Sequence, residues 1–330
     1  MDQQPQERGM LSRVAESIYW MGRYIERAEN IARLIDVNLY LNLDLPSDKT
    51  ARQWGPLVRV TGDETLFTKQ YGDPTEQQVI HFLTFDPGYP NSIANCLQAA
   101  RENARSIREI ISSEMWEQIN STFLFFKDSK GGLESMDSPY SFFRRVRMSC
   151  HLFSGLIEST MSHGEAWHFA KLGQFLERAD KTSRILDMKY YIILPSIDDI
   201  DSPYDNIQWS ALLKSASALE MYRKRWNRID SRQVADFLIL NREFPRAIHY
   251  CLVHAERSLH AISGSQVWGF SNSAEKLLGQ LRSELDYAHI DDIIRTGLHE
   301  FLDGLQSRLN QVGSGIDETY FSHLVPPADG

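Results

Sequence analysis

Residues 22–40 and 173–191 carry nearly the same message twice, at an offset of 151. Seven of the nineteen positions agree: Gly22, Glu26, Arg27, Ala28, Arg33, Asp36 and Tyr40 recur in the second copy. After a four-residue difference in loop length the likeness resumes, and 54–107 aligns without gaps to 209–262, with Trp54 meeting Trp209. Within it, 78–107 shares ten of thirty positions with 233–262, and Pro90 and Pro245 each precede a stretch reading I-x-x-C-L. A repeat this long marks a duplicated supersecondary unit. The halves span roughly 10–150 and 161–312. Such halves are expected to pack about a pseudo-twofold axis and to share one core.

The repeated unit is helical. From Val14 the apolar positions run Val14, Ile18, Met21, Ile25, Ala28, Ala32, Ile35 and Leu39, in alternating steps of four and three. That spacing keeps one stripe on one face of a long helix. Helix starts are signed throughout. Asp73-Pro74-Thr75-Glu76 offers an acid as N-cap, a proline for the first helical position and a capping-box glutamate. Asp230 with Gln233 and Asn272 with Glu275 repeat the box spacing, and Ser138-Pro139 opens another helix. Clusters of Gly, Pro, Ser and Asp place loops at 45–53, 86–91, 127–138, 194–206 and 263–272. No alternating strand pattern and no βαβ rhythm is visible. The expected fold is all-α, a single compact helical bundle over residues 10–322, with residues 1–9 disordered and 323–330 a flexible tail.

Charge and cysteine usage narrow the function. A net charge of −9 disfavours nucleic acid and anionic lipid as partners. No apolar run approaches the roughly 18 residues that span a bilayer, and MDQQPQERG does not read as a signal peptide. The expected location is cytoplasmic. Cys96, Cys150 and Cys251 are odd in number and far apart, which suits neither a disulfide framework nor a zinc knuckle; Cys96 and Cys251 read as buried packing. No Walker A loop, nucleophile elbow, dinucleotide fingerprint or zinc pattern occurs, so no cofactor and no metal is expected. His163 and His168, like His249 and His254, are five apart and diverge on a helix. His299 and Asp303 have helical spacing but read as surface polarity. Arg144, Arg145 and Arg147 read as a solvated face sooner than a phosphate contact.

The ER pair is the candidate site. At 100° per residue, Arg27 falls at the edge of an apolar arc that holds Trp20, Tyr24 and Ile31, and Glu26 lies about a quarter turn away. Beside it Glu29, Arg33 and Asp36 form an acid–arginine–acid ladder, repeated as Asp180, Arg184 and Asp187. The ladder lies away from the main apolar stripe and is expected to face outward. Arg27 and Arg178 are expected to be mostly buried and hydrogen-bonded to carboxylates. Two readings stand. The charges form a structural network, or Glu26, Arg27, Glu177 and Arg178 line a cleft between facing helices suited to a carboxylate, a phosphate or an amine.

The stretches MLSRVAESIYWMGRYIERAENIARLID, MSHGEAWHFAKLGQFLERADKTSRILDMKYY, SEMWEQIN, GLHEFLD and ETYF together resemble the bacterial alpha-E family, a helical domain of unknown function bearing a Glu-Arg motif. Ala166 and His168 depart from its second motif, which more usually holds Gly and Arg there. The resemblance implies a setting and not a reaction. Alpha-E proteins accompany a circularly permuted ATP-grasp ligase and a transglutaminase-like peptidase, a grouping suited to forming and trimming amide or peptide bonds. This chain is then expected to be an accessory or binding component of that system, with a peptide or the ligase as partner. The alternatives are an enzyme that uses the paired Glu and Arg on facing helices, with the carboxylates as general acid and base or holding a divalent ion, and a purely structural scaffold.

Overall fold

A computed structural model describes residues 10–44, 54–129, 138–193, 203–266 and 268–322. The expected loop 45–53, most of the loops 127–138 and 194–206, and both terminal segments lie outside the described residues. Among those residues there are fifteen α-helices and no strand. The first half contributes α1 (Ser12–Asp44), α2 (Trp54–Thr61), α3 (Glu64–Tyr71), α4 (Glu76–Thr84), α5 (Ile93–Ser106), α6 (Ser113–Asp128) and α7 (Pro139–Thr160). The second contributes α8 (Glu165–Ile193), α9 (Pro203–Ser215), α10 (Leu219–Arg225), α11 (Ser231–Leu240), α12 (Ile248–Ser263), α13 (Ser273–Tyr287), α14 (Ile290–Thr296) and α15 (Leu298–Ile316). A π-helical turn, Asp317–Phe321, follows and sets Phe321 against Tyr19 and Phe169.

The caps explain most of the starts. Asp230 accepts the Gln233 amide at 2.9 Å, and Asn272 accepts that of Glu275 at 2.9 Å. Pro139 holds the first turn of α7 behind Ser138, although the serine makes no capping bond. One start differs from the sequence reading: the cap of α4 is Thr75, whose hydroxyl meets the Gln78 amide at 3.4 Å, and not Asp73. Both residues fit a cap, and the chain takes the one next to the first helical turn.

The two ER helices, α1 and α8, lie side by side at the centre and run in the same direction. Their closest approach is glycine on backbone. A Cβ on Gly22 would stand 2.6 Å from the Ala170 carbonyl oxygen, and one on Gly173 would stand 2.3 Å from that of Tyr19. Only glycine admits helices this near. Around the pair, α1 packs on α5 and α7 while α8 packs on α12 and α15; α6 spans α5 and α7 as α13 spans α12 and α15. The starts of α3, α4 and α5 recur 155 residues later as those of α10, α11 and α12. Nearly all the buried apolar side chains join one continuous core that includes both ER helices.

Candidate functional site

The ER residues pair across the helix seam. Arg27 of α1 grips Glu177 of α8 with two parallel bonds, Nε to Oε1 at 2.7 Å and Nη2 to Oε2 at 3.0 Å. Arg178 grips Glu26 in the same way, at 2.9 Å and 2.9 Å. Each arginine lies over an aromatic neighbour, Arg27 over Tyr24 and Arg178 over Phe175. The mostly buried, carboxylate-bound arginines expected from the sequence are therefore present. Such forks are the strong form of ion pair.

Neither carboxylate rests on one partner. Glu177, fully buried, also accepts from Arg23 Nε at 2.8 Å and has Lys181 Nζ at 3.4 Å. Glu26 also accepts from Arg246 at 3.0 Å, and Arg246 reaches Glu29 at 2.8 Å. Burial alone would push both acids up. At Glu177 the charges of Arg27, Lys181 and Arg23 outweigh it and hold the carboxyl well below its ordinary value. At Glu26, Arg178 and Arg246 outweigh it and hold the carboxyl at about 2. Both stay ionised at neutral pH.

The ladders differ from their expected placement. Glu29, Arg33 and Asp36 are only 2, 4 and 5% exposed, and Asp180 and Asp187 are buried as well. They do not face outward, because α7, α12 and α15 pack over that arc of the ER helices. Glu29 pairs with Arg33 and Arg246. Asp36 is bound by Arg147, one of the arginines read as a solvated face. Asp180 takes Arg184 at 2.9 Å and Lys181 at 3.0 Å. Asp187 takes His299 Nδ1 at 2.7 Å, which gives that histidine an internal role and not surface polarity. Arg145 stacks over Phe125.

The four ER residues do not line one cleft. A recess of about 160 Å³ opens on the Glu177 side, and of the four only Arg27 lines it, together with Arg23, Asn91, Asp180, Lys181 and Arg184. Sequence reasoning missed Arg23, Lys181, Asn91 and Arg246. The signal lay in the repeat itself, at positions where the copies disagree: Arg23 aligns with Gln174, Asn30 with Lys181 and Asn91 with Arg246. A second concavity, about 850 Å³ and open, lies in the second half between α13 and α15. Trp268, Phe270 and Tyr287 wall it, and Glu256, Glu275 and Arg282 also line it. All three aromatic rings are exposed, Trp268 almost wholly so.

Cys96 and Cys251 are buried, and each donates its thiol to a backbone carbonyl at 3.4 Å, that of Asn91 and of Pro245. Burial pushes both thiols up to about 12, so neither is a nucleophile. No group of three or more His, Cys, Asp and Glu side chains among the described residues is placed to hold a metal ion. No helix among them is long and apolar enough to cross a membrane.

A family model, described as a predicted alpha-helical domain with a conserved ER motif, matches residues 10–321. An uncharacterized protein of Mycobacterium bovis is 22% identical over 333 aligned residues, covering 93% of this chain and 36% of that protein. An uncharacterized protein of Mycobacterium tuberculosis is 21% identical over the same length. The chain thus spans little more than a third of the curated relatives it matches. No solved structure matches.

Proposed function

The chain belongs to the Alpha-E family, and from that premise we propose that it is an accessory, binding component of a bacterial system in which an ATP-grasp ligase and a transglutaminase-like peptidase form and process amide bonds. The observation that carries this reading is the locking of Glu26 and Glu177. A general acid or base needs a proton affinity near the working pH and access to substrate. Both carboxylates are buried, ionised and held by arginines from the facing helix. They fasten the two ER helices and leave the chemistry to a partner.

The halves, in this reading, are related by an approximate twofold axis that runs along the seam. The reciprocal arginine–glutamate forks and the reciprocal glycine contacts support it; superposing 54–107 on 209–262 tests it. The rigid body then presents its open aromatic groove to the ligase or to a peptide. Exposed aromatic rings beside mixed charge suit a protein partner.

The test uses purified chain and purified cognate ligase. Stable co-elution is expected, together with no ATP turnover by the chain alone. Trp268→Ala combined with Tyr287→Ala should weaken co-elution at an unchanged melting temperature. Turnover by the chain alone, or no complex with the ligase, would overturn the proposal.

A further inference from the structure

The recess beside Glu177 has a charge excess that its own residues do not cancel. Arg23, Arg27, Lys181 and Arg184 converge there, against only Asp180 on the wall and Glu177 beneath. Asp63 and Asp187 also act on Arg184, but neither lines the recess. All four cations are mostly buried, with side chains 12 to 19% exposed. Their donors are only partly used. Arg23 gives Nε to Glu177 and Nη1 to the Tyr19 hydroxyl, while Arg184 gives Nε to Asp180 and Nη1 to the Val60 carbonyl. Neither Nη2 enters these bonds. Arg27 turns Nη1 to the Asn91 side-chain oxygen at 2.6 Å, which is a neutral acceptor.

The Glu26 side supplies an internal control. The residue aligned with Asn91 is Arg246, and its guanidinium lies between Glu26 and Glu29, the counterparts of Glu177 and Asp180. There the chain fills the position with its own cation, and the counterparts of Arg23 and Lys181 are the uncharged Gln174 and Asn30. On the Glu177 side the short asparagine leaves a cavity of 160 Å³. At about 30 Å³ per water that is room for about five waters, enough for an ion of five heavy atoms.

We infer that this recess is a binding site for a phosphate dianion, free or as a monoester, held by Arg23, Arg27, Lys181 and Arg184. Two guanidinium edges and an ammonium match a tetrahedral oxoanion, and an excess of positive charge matches its double charge better than a single carboxylate does. The site shares no lining residue with the aromatic groove, and its fate does not depend on the accessory role.

Titration calorimetry on the full chain tests it with inorganic phosphate, phosphoserine and acetate as separate probes in a chloride buffer. Saturable 1:1 binding of inorganic phosphate or phosphoserine is expected, at least tenfold tighter than acetate. Tighter phosphoserine than phosphate assigns the site to a monoester, and the reverse to the free ion. Asn91→Arg copies the plug of the other side and should abolish binding while the chain still folds. Lys181→Gln, a milder change, should weaken it about tenfold and covers the case in which Asn91→Arg fails to fold. No phosphate binding by the wild-type chain, acetate binding as tight as phosphate, or full binding by both variants would overturn the inference. None of these results bears on co-elution with the ligase.

Discussion

The Glu177 and Glu26 sides of the ER seam keep the same fork and differ in what surrounds it. Glu177 is gripped by Arg27 and Arg23 with Lys181 close by, beside an open recess at Asn91. Glu26 is gripped by Arg178 and Arg246, and Arg246 also ties in Glu29. The fork is the part that fastens two helices, so it serves each copy alike. The flanking positions are free to diverge, and three exchanges, Arg23 for Gln174, Lys181 for Asn30 and Asn91 for Arg246, separate an open basic pocket from a closed ion-pair network. The crowding of cations on the closed side shows in Arg33: burial, then Arg246 and Arg147, pull its guanidinium below the usual arginine range.

The largest expected effect comes from removing the more heavily loaded acid. Glu177→Gln strands Arg23 and Arg27 and should cost about 3–5 kcal/mol, as breaking a buried pair does, read by urea unfolding at pH 7. Glu26→Gln should cost less, because Glu29 remains beside Arg246. Both carboxyls are depressed in the folded chain, so their stabilisation is complete above the ordinary value of 4.5 and is lost as pH falls. For Glu26 the loss runs from there down through about 2. The gap between the wild type and either variant should therefore close on acidification. Equal losses for the two variants would remove the contrast between the sides.

The glycine contact ranks next. Gly173→Ala must displace the Tyr19 carbonyl, and overpacking of this kind costs about 1–3 kcal/mol. Gly22→Ala meets Ala170 at the slightly longer distance and should cost less. A pair of alanine variants that unfold with the wild type would show that the helices can separate without loss.

Arg246→Asn imitates Asn91 on the closed side. Glu26 keeps Arg178 and Glu29 keeps Arg33, so the loss should be about 1.5 kcal/mol, the low end for charged hydrogen bonds. Space alone does not make an anion site. With Arg246 gone, the acids there are no fewer than the remaining arginines, and phosphate stoichiometry should stay at one. A second bound phosphate would mean that the vacancy, and not the charge excess, selects the ion.

The helices and their caps were legible in the sequence because they depend on local spacing: the stripe from Val14 to Leu39, Asp230 over Gln233, Asn272 over Glu275. The forks were half legible. The edge position of Arg27 announced burial beside a carboxylate, and the repeat offered the facing glutamate. The ladder was misread because a helical wheel shows one helix, whereas Arg147, Arg246 and His299 arrive from α7, the loop before α12 and α15. A polar arc that looks solvated on one helix becomes interior when three others close over it. The recess was invisible for the same reason, since its cations come from two helices and its space from an asparagine in a loop.

The smallest expected effect separates two acids on one helix. Asp180 is buried, which raises its carboxyl, but Lys181 and Arg184 outweigh burial and lower it. Asp187 is raised, because burial there outweighs the bond from His299. The signs for stability are opposite. A lowered acid contributes stability that is present at neutral pH and lost on acidification, whereas a raised acid is disfavoured in its ionised form, so its penalty appears as pH climbs past the ordinary carboxylate range. Asp180→Asn should therefore be less stable than the wild type at pH 7. Asp187→Asn should match or exceed the wild type, within about 1 kcal/mol, and its advantage should vanish at about pH 3, below the ordinary value of 3.8, where the carboxyl is protonated folded and unfolded alike. Urea midpoints at the two pH values decide the matter. An Asp187→Asn variant less stable than Asp180→Asn would mean that the His299 bond outweighs burial, and that the outer end of the ladder fastens the bundle as firmly as the forks do.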